Sequence, residues 1–299
     1  MRLTRVLPAL VGLLATVPVF GQVPDAAAVL AKAREAMGGE KKLTGIRSFV
    51  ASGQTRQVRG DNLIPIVFEI NVEFPDKYSR RDETPAVESG YSTSGFSGDN
   101  LIQLPQPVAA PPQMVMAARP GGPPSPTPEQ MATMLAAQRK ARVVSLKQDF
   151  TRLTLGMFAG SFPSYPLTFT RLGIAEAPQG KADVIEAKGP DNFVARLMIS
   201  QDTHLPVMLA WSTPARPGAG VRPGGAAMAG APAAAGAPAA APPAPPENRL
   251  YFADYRDVDG MQLPFRLRRA LGSETSEETT FDRYKLNAKI DPKKFEVVK

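Results

Sequence analysis

The stretch Ile66-Val67-Phe68-Glu69-Ile70-Asn71-Val72-Glu73-Phe74 decides the fold. Ile66, Phe68, Ile70, Val72 and Phe74 alternate with Val67, Glu69, Asn71 and Glu73. A helix would scatter these side chains around its axis, whereas the period of two in a strand puts the first set on one face and the second on the other. The pattern predicts an antiparallel strand with one buried face. Pro75 and Asp76 turn the chain into a further strand through Tyr78, and the Gly60, Asp61, Asn62 cluster turns it on the other side. Gly95, Gly98, Asp99 and Asn100 mark another tight turn, so about five strands are expected between Ile46 and Gln103.

Downstream the same chemistry returns. Strands are expected over Leu167 to Ala175, Ala182 to Lys188, Phe193 to Ser200 and Leu205 to Trp211, with short connections rich in turn residues. Arg249 to Val258 and Met261 to Leu271 read as a hairpin across Asp259 and Gly260, and Glu274 to Leu286 as a last strand before a short tail through Phe295. So many consecutive strands joined by tight turns predict one strongly curved antiparallel sheet, since a flat sheet of that width is unfavourable.

Helical periodicity occurs in two places. Ahead of the strands, Asp25 is placed to cap a helix from about Ala26 to Met37; Val29, Leu30, Ala33 and Met37 share a face, and Gly38 and Gly39 end it. In the middle, Thr127, Pro128, Glu129 and Gln130 write a helix start: a capping Thr, Pro at the first position, and Gln three residues after the cap. Met131, Met134 and Leu135, then Val143, Leu146, Phe150, Leu153 and Met157, continue an apolar stripe, with a break expected near Ala141 where the stripe changes face. These helices are expected to cover one face of the sheet.

Two stretches differ in composition. Leu104 to Pro128 and Thr213 to Pro246 each hold nine prolines, 18 of the 31 in the chain, mixed with Ala and Gly. Such segments bury too little apolar surface to offset their ordering entropy, so they read as insertions rather than domains. No linker separates two self-sufficient cores, and a single domain over residues 22–299 is expected.

The start reads as an export signal. Arg2 and Arg5 precede an apolar run from Val6 to Phe20, and Val19 and Gly21 give the small-residue pattern for cleavage after Gly21. Pro8 and Pro18 interrupt a run already shorter than the roughly 20 apolar residues a bilayer span needs. Without cysteine there is neither a disulfide nor a lipid-modified N-terminal Cys, which leaves a soluble periplasmic or secreted protein with no transmembrane segment in its mature form. Removing Arg2 and Arg5 from 35 basic residues leaves 33 against 28 acidic, a net charge of +5. The cations are scattered; even the densest group, Arg266, Arg268 and Arg269, lacks the interleaved aromatics of a nucleic-acid platform, and no nucleic-acid partner is expected.

Catalytic sets are hard to build from these residues. His204 is the only histidine and no Gly-x-Ser-x-Gly elbow exists, so His204 reads as a turn residue; zinc sites built on several histidines and thiolate chemistry are excluded. Asp254, Asp257 and Asp259 lack the Gly and terminal Glu of a calcium loop and read as hairpin residues. No metal, cofactor or catalytic residue is expected. What the pattern supplies is inward apolar surface, either packed core or the lining of a lipid cavity. The candidate lining comprises Phe68, Ile70 and Val72, then Val207, Leu209 and Trp211, and Leu263, Phe265 and Leu267. Met131, Met134 and Leu135 of the helix join it, flexible thioethers suiting varied apolar ligands.

The order of these elements resembles the LolA-like superfamily of outer-membrane lipoprotein-sorting proteins. The resemblance rests on the N-terminal helix running into Gly38 and Gly39, the Phe74-Pro75-Asp76-Lys77 strand end, and the Gly95-Phe96-Ser97-Gly98-Asp99 turn. Asp202 to Leu209, Tyr255 to Pro264 and the closing Asn287 to Phe295 extend it. It implies an unclosed β-barrel whose concave apolar face binds lipid or lipoprotein acyl chains under a helical lid, without enzymatic activity. Two departures stand out: the proline-rich insertions are foreign to the family's carrier, and no arginine here aligns with the one that holds that carrier's lid shut. A carrier of acyl chains is therefore the first expectation, and an envelope module that docks a protein partner the second.

Overall fold

A computed structural model describes residues 25–60, 62–85, 90–105, 127–177, 180–212 and 246–297. The expected signal peptide and most of both proline-rich insertions lie outside these residues.

The described residues open with α1 (Ala26–Ala36) and a one-turn helix, α2 (Glu40–Thr44). The Asp25 cap forms as expected, its Oδ1 accepting from the Ala28 amide at 2.7 Å. Gly38 and Gly39 then take φ of 125° and 88°, values that a side chain would resist, and reverse the chain. Five strands follow: β1 (Ser48–Arg59), β2 (Asn62–Glu73), β3 (Lys77–Glu83), β4 (Tyr91–Ser97) and β5 (Asn100–Leu104). After the long helix α3 (Pro128–Phe158) come seven more: β6 (Thr168–Ala177), β7 (Gly180–Gly189), β8 (Phe193–Ser200), β9 (Pro206–Ser212), β10 (Glu247–Val258), β11 (Met261–Leu271) and β12 (Glu274–Leu286). A short 3-10 turn at Pro292–Phe295 closes the described chain.

All twelve strands form one antiparallel sheet in the order β5-β4-β3-β2-β1-β12-β11-β10-β9-β8-β7-β6. Sequence neighbours pair throughout except at the centre, where β1 meets β12 and ties the two ends of the domain together. The sheet does not close, so β5 and β6 remain edges, and an unclosed barrel results. The strand that opened the argument behaves as its alternation requires: Ile66, Phe68, Ile70 and Val72 are buried, Val67 is exposed and Glu69 half-buried. Toward the end of the strand the alternation is less strict, and Asn71 is buried as well.

The core lies between the inner face of this sheet and the helices. Phe49, Phe68, Phe193, Leu197, Leu209 and Leu263 from five strands meet Leu30 and Ala33 of α1 and Leu155 and Met157 of α3 in one apolar cluster. The Asp259–Gly260 hairpin is confirmed, with the Gly260 amide donating to Asp257 Oδ1 at 3.0 Å, and Asp254 pairs with Arg256. His204 sits in a turn at φ 57°, its amide donating to Ser200 O.

Two expectations need correction. α3 is not broken near Ala141; it runs unbroken for 31 residues, about 46 Å at 1.5 Å per residue. Alanine is the strongest helix former, and the stripe shifts because the surroundings change: from Pro128 to Arg142 every residue is exposed, and from Val143 onward one face is packed. Val207 does not join the inner face. Met198 pairs with Met208 and Ile199 with Pro206, so Val207 is the extra residue of a β-bulge and is exposed.

Candidate functional site

The site is the concave face and the helix that crosses it. α3 joins the two sheet edges in sequence and bridges them in space, packing on β4 and β5 on one wing and on β8 and β9 on the other. Its capping box forms as read, Gln130 N donating to Thr127 Oγ1 and Thr127 N to Gln130 Oε1. The packed half, Val143 to Phe158, buries Val143, Leu146, Phe150, Leu155, Met157 and Phe158. Phe150 is ringed by Phe74, Tyr78 and Phe96 at centroid distances of 6.2, 5.2 and 5.6 Å. Gly156 lies against the tip of the Phe252 ring, and a Cβ there would overlap it.

Few polar contacts hold this helix to the rim. Lys147 Nζ binds Asp99 Oδ1 in the β4–β5 turn at 2.6 Å, and this hydrogen bond holds the Asp99 carboxyl below its ordinary range. Gln148 Nε2 donates to Asp191 O in the β7–β8 turn at 3.0 Å. At the far end Arg34 of α1 donates from Nη1 to Phe158 O at 3.0 Å while its other nitrogens grip Glu40 at 2.5 and 2.7 Å, lowering the Glu40 pKa. Arg34 thus joins α1, α2 and the end of α3, a role that its place on an amphipathic helix did not signal.

Most of the candidate lining residues converge here. Phe68, Ile70, Val72, Leu209, Trp211, Leu263, Phe265 and Leu267 are all buried in the single cluster beneath the helices. Met131, Met134 and Leu135 are not brought to them: at 46, 64 and 47% exposure they lie on the projecting half of α3. A small cavity of about 20 Å³, enough for one water, lies between Phe96, Phe150, Phe162 and Tyr165 at the rim. An acyl chain therefore does not fit there while α3 is seated.

The inner face is not wholly apolar. Arg80 of β3 lies over the Phe68 ring at 4.8 Å, donates to Asp82 at 2.7 Å and reaches Thr55 Oγ1 at 3.2 Å; Thr55 and Thr279 share a hydrogen bond of 2.9 Å. Arg152 of α3 and Arg269 of β11 both approach Trp211. These arginines carry no inward mark in their local pattern, because a strand or helix period predicts a face and not the depth to which a long side chain folds back. Among the described residues no group of three or more His, Asp or Glu is gathered to hold a metal, and no helix is long and apolar enough to cross a membrane.

No protein-family model matches the chain, and no curated protein matches it significantly. Solved structures do. A LolA superfamily protein from Nitrosomonas europaea aligns with a TM-score of 0.51 at 14% identity, over 92% of this chain and 98% of that one. The fold is LolA-like. A domain described as an outer membrane lipoprotein-sorting protein from Vibrio parahaemolyticus aligns at TM-score 0.44 and 9% identity, over 90% of this chain and 97% of that one. A DUF1329 family protein from Desulfovibrio piger does so at TM-score 0.44 and 9% identity, covering 91% and 97%. At such identities the likeness is one of fold, and the expected resemblance is borne out at that level. In this LolA-like half-barrel the packed half of the helix between β5 and β6 occupies the concavity, and Met131, Met134 and Leu135 lie on its exposed half.

Proposed function

We propose that the chain is an exported carrier for an apolar ligand, a lipid or a lipoprotein acyl chain, with α3 seated in the binding concavity and displaced when the ligand enters. The observation that carries this reading is the cover itself. The inner face of both wings is closed by the packed half of one helix rather than by a second sheet, and Lys147, Gln148 and Arg34 hold that helix at its rim and end. Burying an acyl chain in place of α3 exchanges one apolar contact surface for another, so opening costs far less than exposing the core to water. The reading assigns no enzymatic step and no cofactor. It takes residues 22–299 as one unit released into the periplasm by cleavage after Gly21, which mass measurement of the exported protein checks.

Uptake of a fluorescent fatty acid tests the carrier reading. The chain has no cysteine, so Cys introduced at positions 99 and 147 and bridged by a short bismaleimide pins α3 to the rim. The pinned protein is expected to lose uptake that the unbridged variant retains. Absence of uptake in the unbridged protein, with no lipid in its solvent extract, sinks the reading.

A second reading has its own observation. Met131, Met134 and Leu135 sit at helical spacing on an exposed segment about 22 Å long, which suits docking to an envelope protein partner. Replacing all three by Ser, or deleting residues 213–246, is expected to abolish capture of such a partner and leave fatty-acid uptake intact; loss of uptake in both variants contradicts this division of labour.

A further inference from the structure

The acyl-chain reading leaves the polar end of the ligand without a place, and one corner of the concave face has the chemistry for it. Trp211, the single tryptophan of the chain, is buried one residue from the end of β9. Two arginines from different elements converge on it. Arg152 of α3 brings its guanidinium carbon to 4.6 Å from the Trp211 ring centre and 5.4 Å from that of Phe193, and Arg269 of β11 reaches the same indole at 5.6 Å.

Their charges are poorly answered. Arg152 Nη1 donates to Asp149 at 2.9 Å and Nη2 to Gln148 at 3.3 Å, while its Nε is buried with no acceptor. Burial, opposed by Asp149, lowers the Arg152 pKa, and the nearby Arg269 adds to that lowering. The Arg269 guanidinium has no ion pair and no hydrogen bond among the described residues. Glu277 stands directly across from it on β12 yet accepts from Thr279 Oγ1 at 3.2 Å. The remaining charges on this side, Arg80 and Asp82, are paired with each other. A buried guanidinium N–H without an acceptor is a costly state, and two cations on one aromatic ring offer their unanswered donors to a shared anion.

We propose that Arg152, Arg269 and Trp211 form a headgroup site for an oxyanion, a phosphate or carboxylate, at the end of an apolar chain lying along Leu209 and Leu197, the turn of α3 that carries Arg152 staying at Trp211 while the rest of the packed half yields to the chain. An oxyanion there accepts from Arg152 Nε and from the free fork of Arg269, geometry that guanidinium offers and ammonium does not. The inference rests on the carrier reading for the chain and on the two arginines for the head, and the two parts fail separately.

Emission from Trp211 reads the site directly, because no other tryptophan contributes. The probes are dodecyl phosphate, dodecanoic acid, dodecanol and inorganic phosphate, each titrated below its aggregation limit. Both anionic amphiphiles are expected to shift the emission and to bind about tenfold or more tightly than dodecanol, the increment of one charge-assisted pair. Arg269→Gln is expected to erase that preference and leave dodecanol affinity unchanged. Arg269→Lys keeps the charge without the fork and recovers only part of it, while matching circular dichroism shows that both variants fold. Competition by inorganic phosphate identifies a free oxyanion as a sufficient occupant; phosphate binding without uptake of any amphiphile keeps the site and removes the carrier. Equal affinity for dodecanol and dodecyl phosphate, or an undiminished preference in Arg269→Gln, overturns the headgroup site and leaves the carrier standing.

Discussion

The two halves of α3 share one backbone and one capping box, and they live in different surroundings. From Pro128 to Arg142 every residue of the helix is exposed, Met131, Met134 and Leu135 among them; from Val143 to Phe158 it is seated among Phe74, Tyr78, Phe96 and Phe252. Isolated helices of about 15 residues are marginal in water, so the exposed half depends on the seated half as its nucleus. The lesson is that one element serves two ends, a plug that fills the concavity and an arm that reaches beyond it. If the plug is displaced by a ligand, the arm moves with it, which couples loading to whatever the arm contacts.

The sharpest way to break this contrast is to delete one large side chain from each half. Phe150→Ala is expected to cost about 3–5 kcal/mol in urea denaturation, because three aromatic rings surround it and the cavity left cannot collapse. Met134→Ala is expected to stay within about 0.5 kcal/mol. Similar losses at the two positions would mean that the arm is packed in solution.

Gly156 gives a second test, in which two effects have opposite signs. A helix interior normally gains about 1 kcal/mol from Gly→Ala. Here the added methyl meets the Phe252 ring, and the overpacking term of about 1–3 kcal/mol wins. Gly156→Ala is therefore expected to destabilise the protein and, by unseating the plug, to speed fatty-acid uptake. A stabilised variant would show that the helix has slack against the sheet.

Hydrogen exchange sharpens the comparison with a smaller perturbation. Amides of residues 131–142 are expected to exchange as fast as a fraying helix and those of residues 150–158 at rates near global unfolding. Protection spread evenly along α3 would contradict the division.

How much of this was legible follows from which forces act locally. The strands, their turns and both helix caps were readable because Phe68, Asp25, Thr127 and Gly260 act through their neighbours in sequence. The curvature followed from counting strands and turns, and the LolA-like resemblance from the order of the elements and the residues at their turns. The fate of Met131, Met134 and Leu135 was not readable, since a helical stripe states that a face exists and not what covers it. Val207 misled because a bulge is set by the partner strand, where Met198 and Ile199 take two consecutive pairs. Arg34, Arg152 and Arg269 were missed for the same reason: their partners, Phe158 and Trp211, lie on other elements and carry no local signature.

The smallest effect concerns the rim contact that keeps the plug seated, and its sign follows from the titration. The Lys147 hydrogen bond, with the lysine charge behind it, holds the Asp99 carboxyl below the ordinary value near 3.9. A carboxyl whose folded pKa is depressed adds stability above its unfolded pKa and loses it as pH falls through the folded value. Asp99→Asn is therefore expected to lower the denaturation midpoint slightly at pH 7 and to match the parent protein once the pH is below the folded value. Because Asp99 is fully exposed, salt near 1 M shrinks the difference as well, the screening length there being about 3 Å. A difference that persists in acid would assign the effect to the Asn side chain, and α3 would then owe its seat to Phe150 and its neighbours alone.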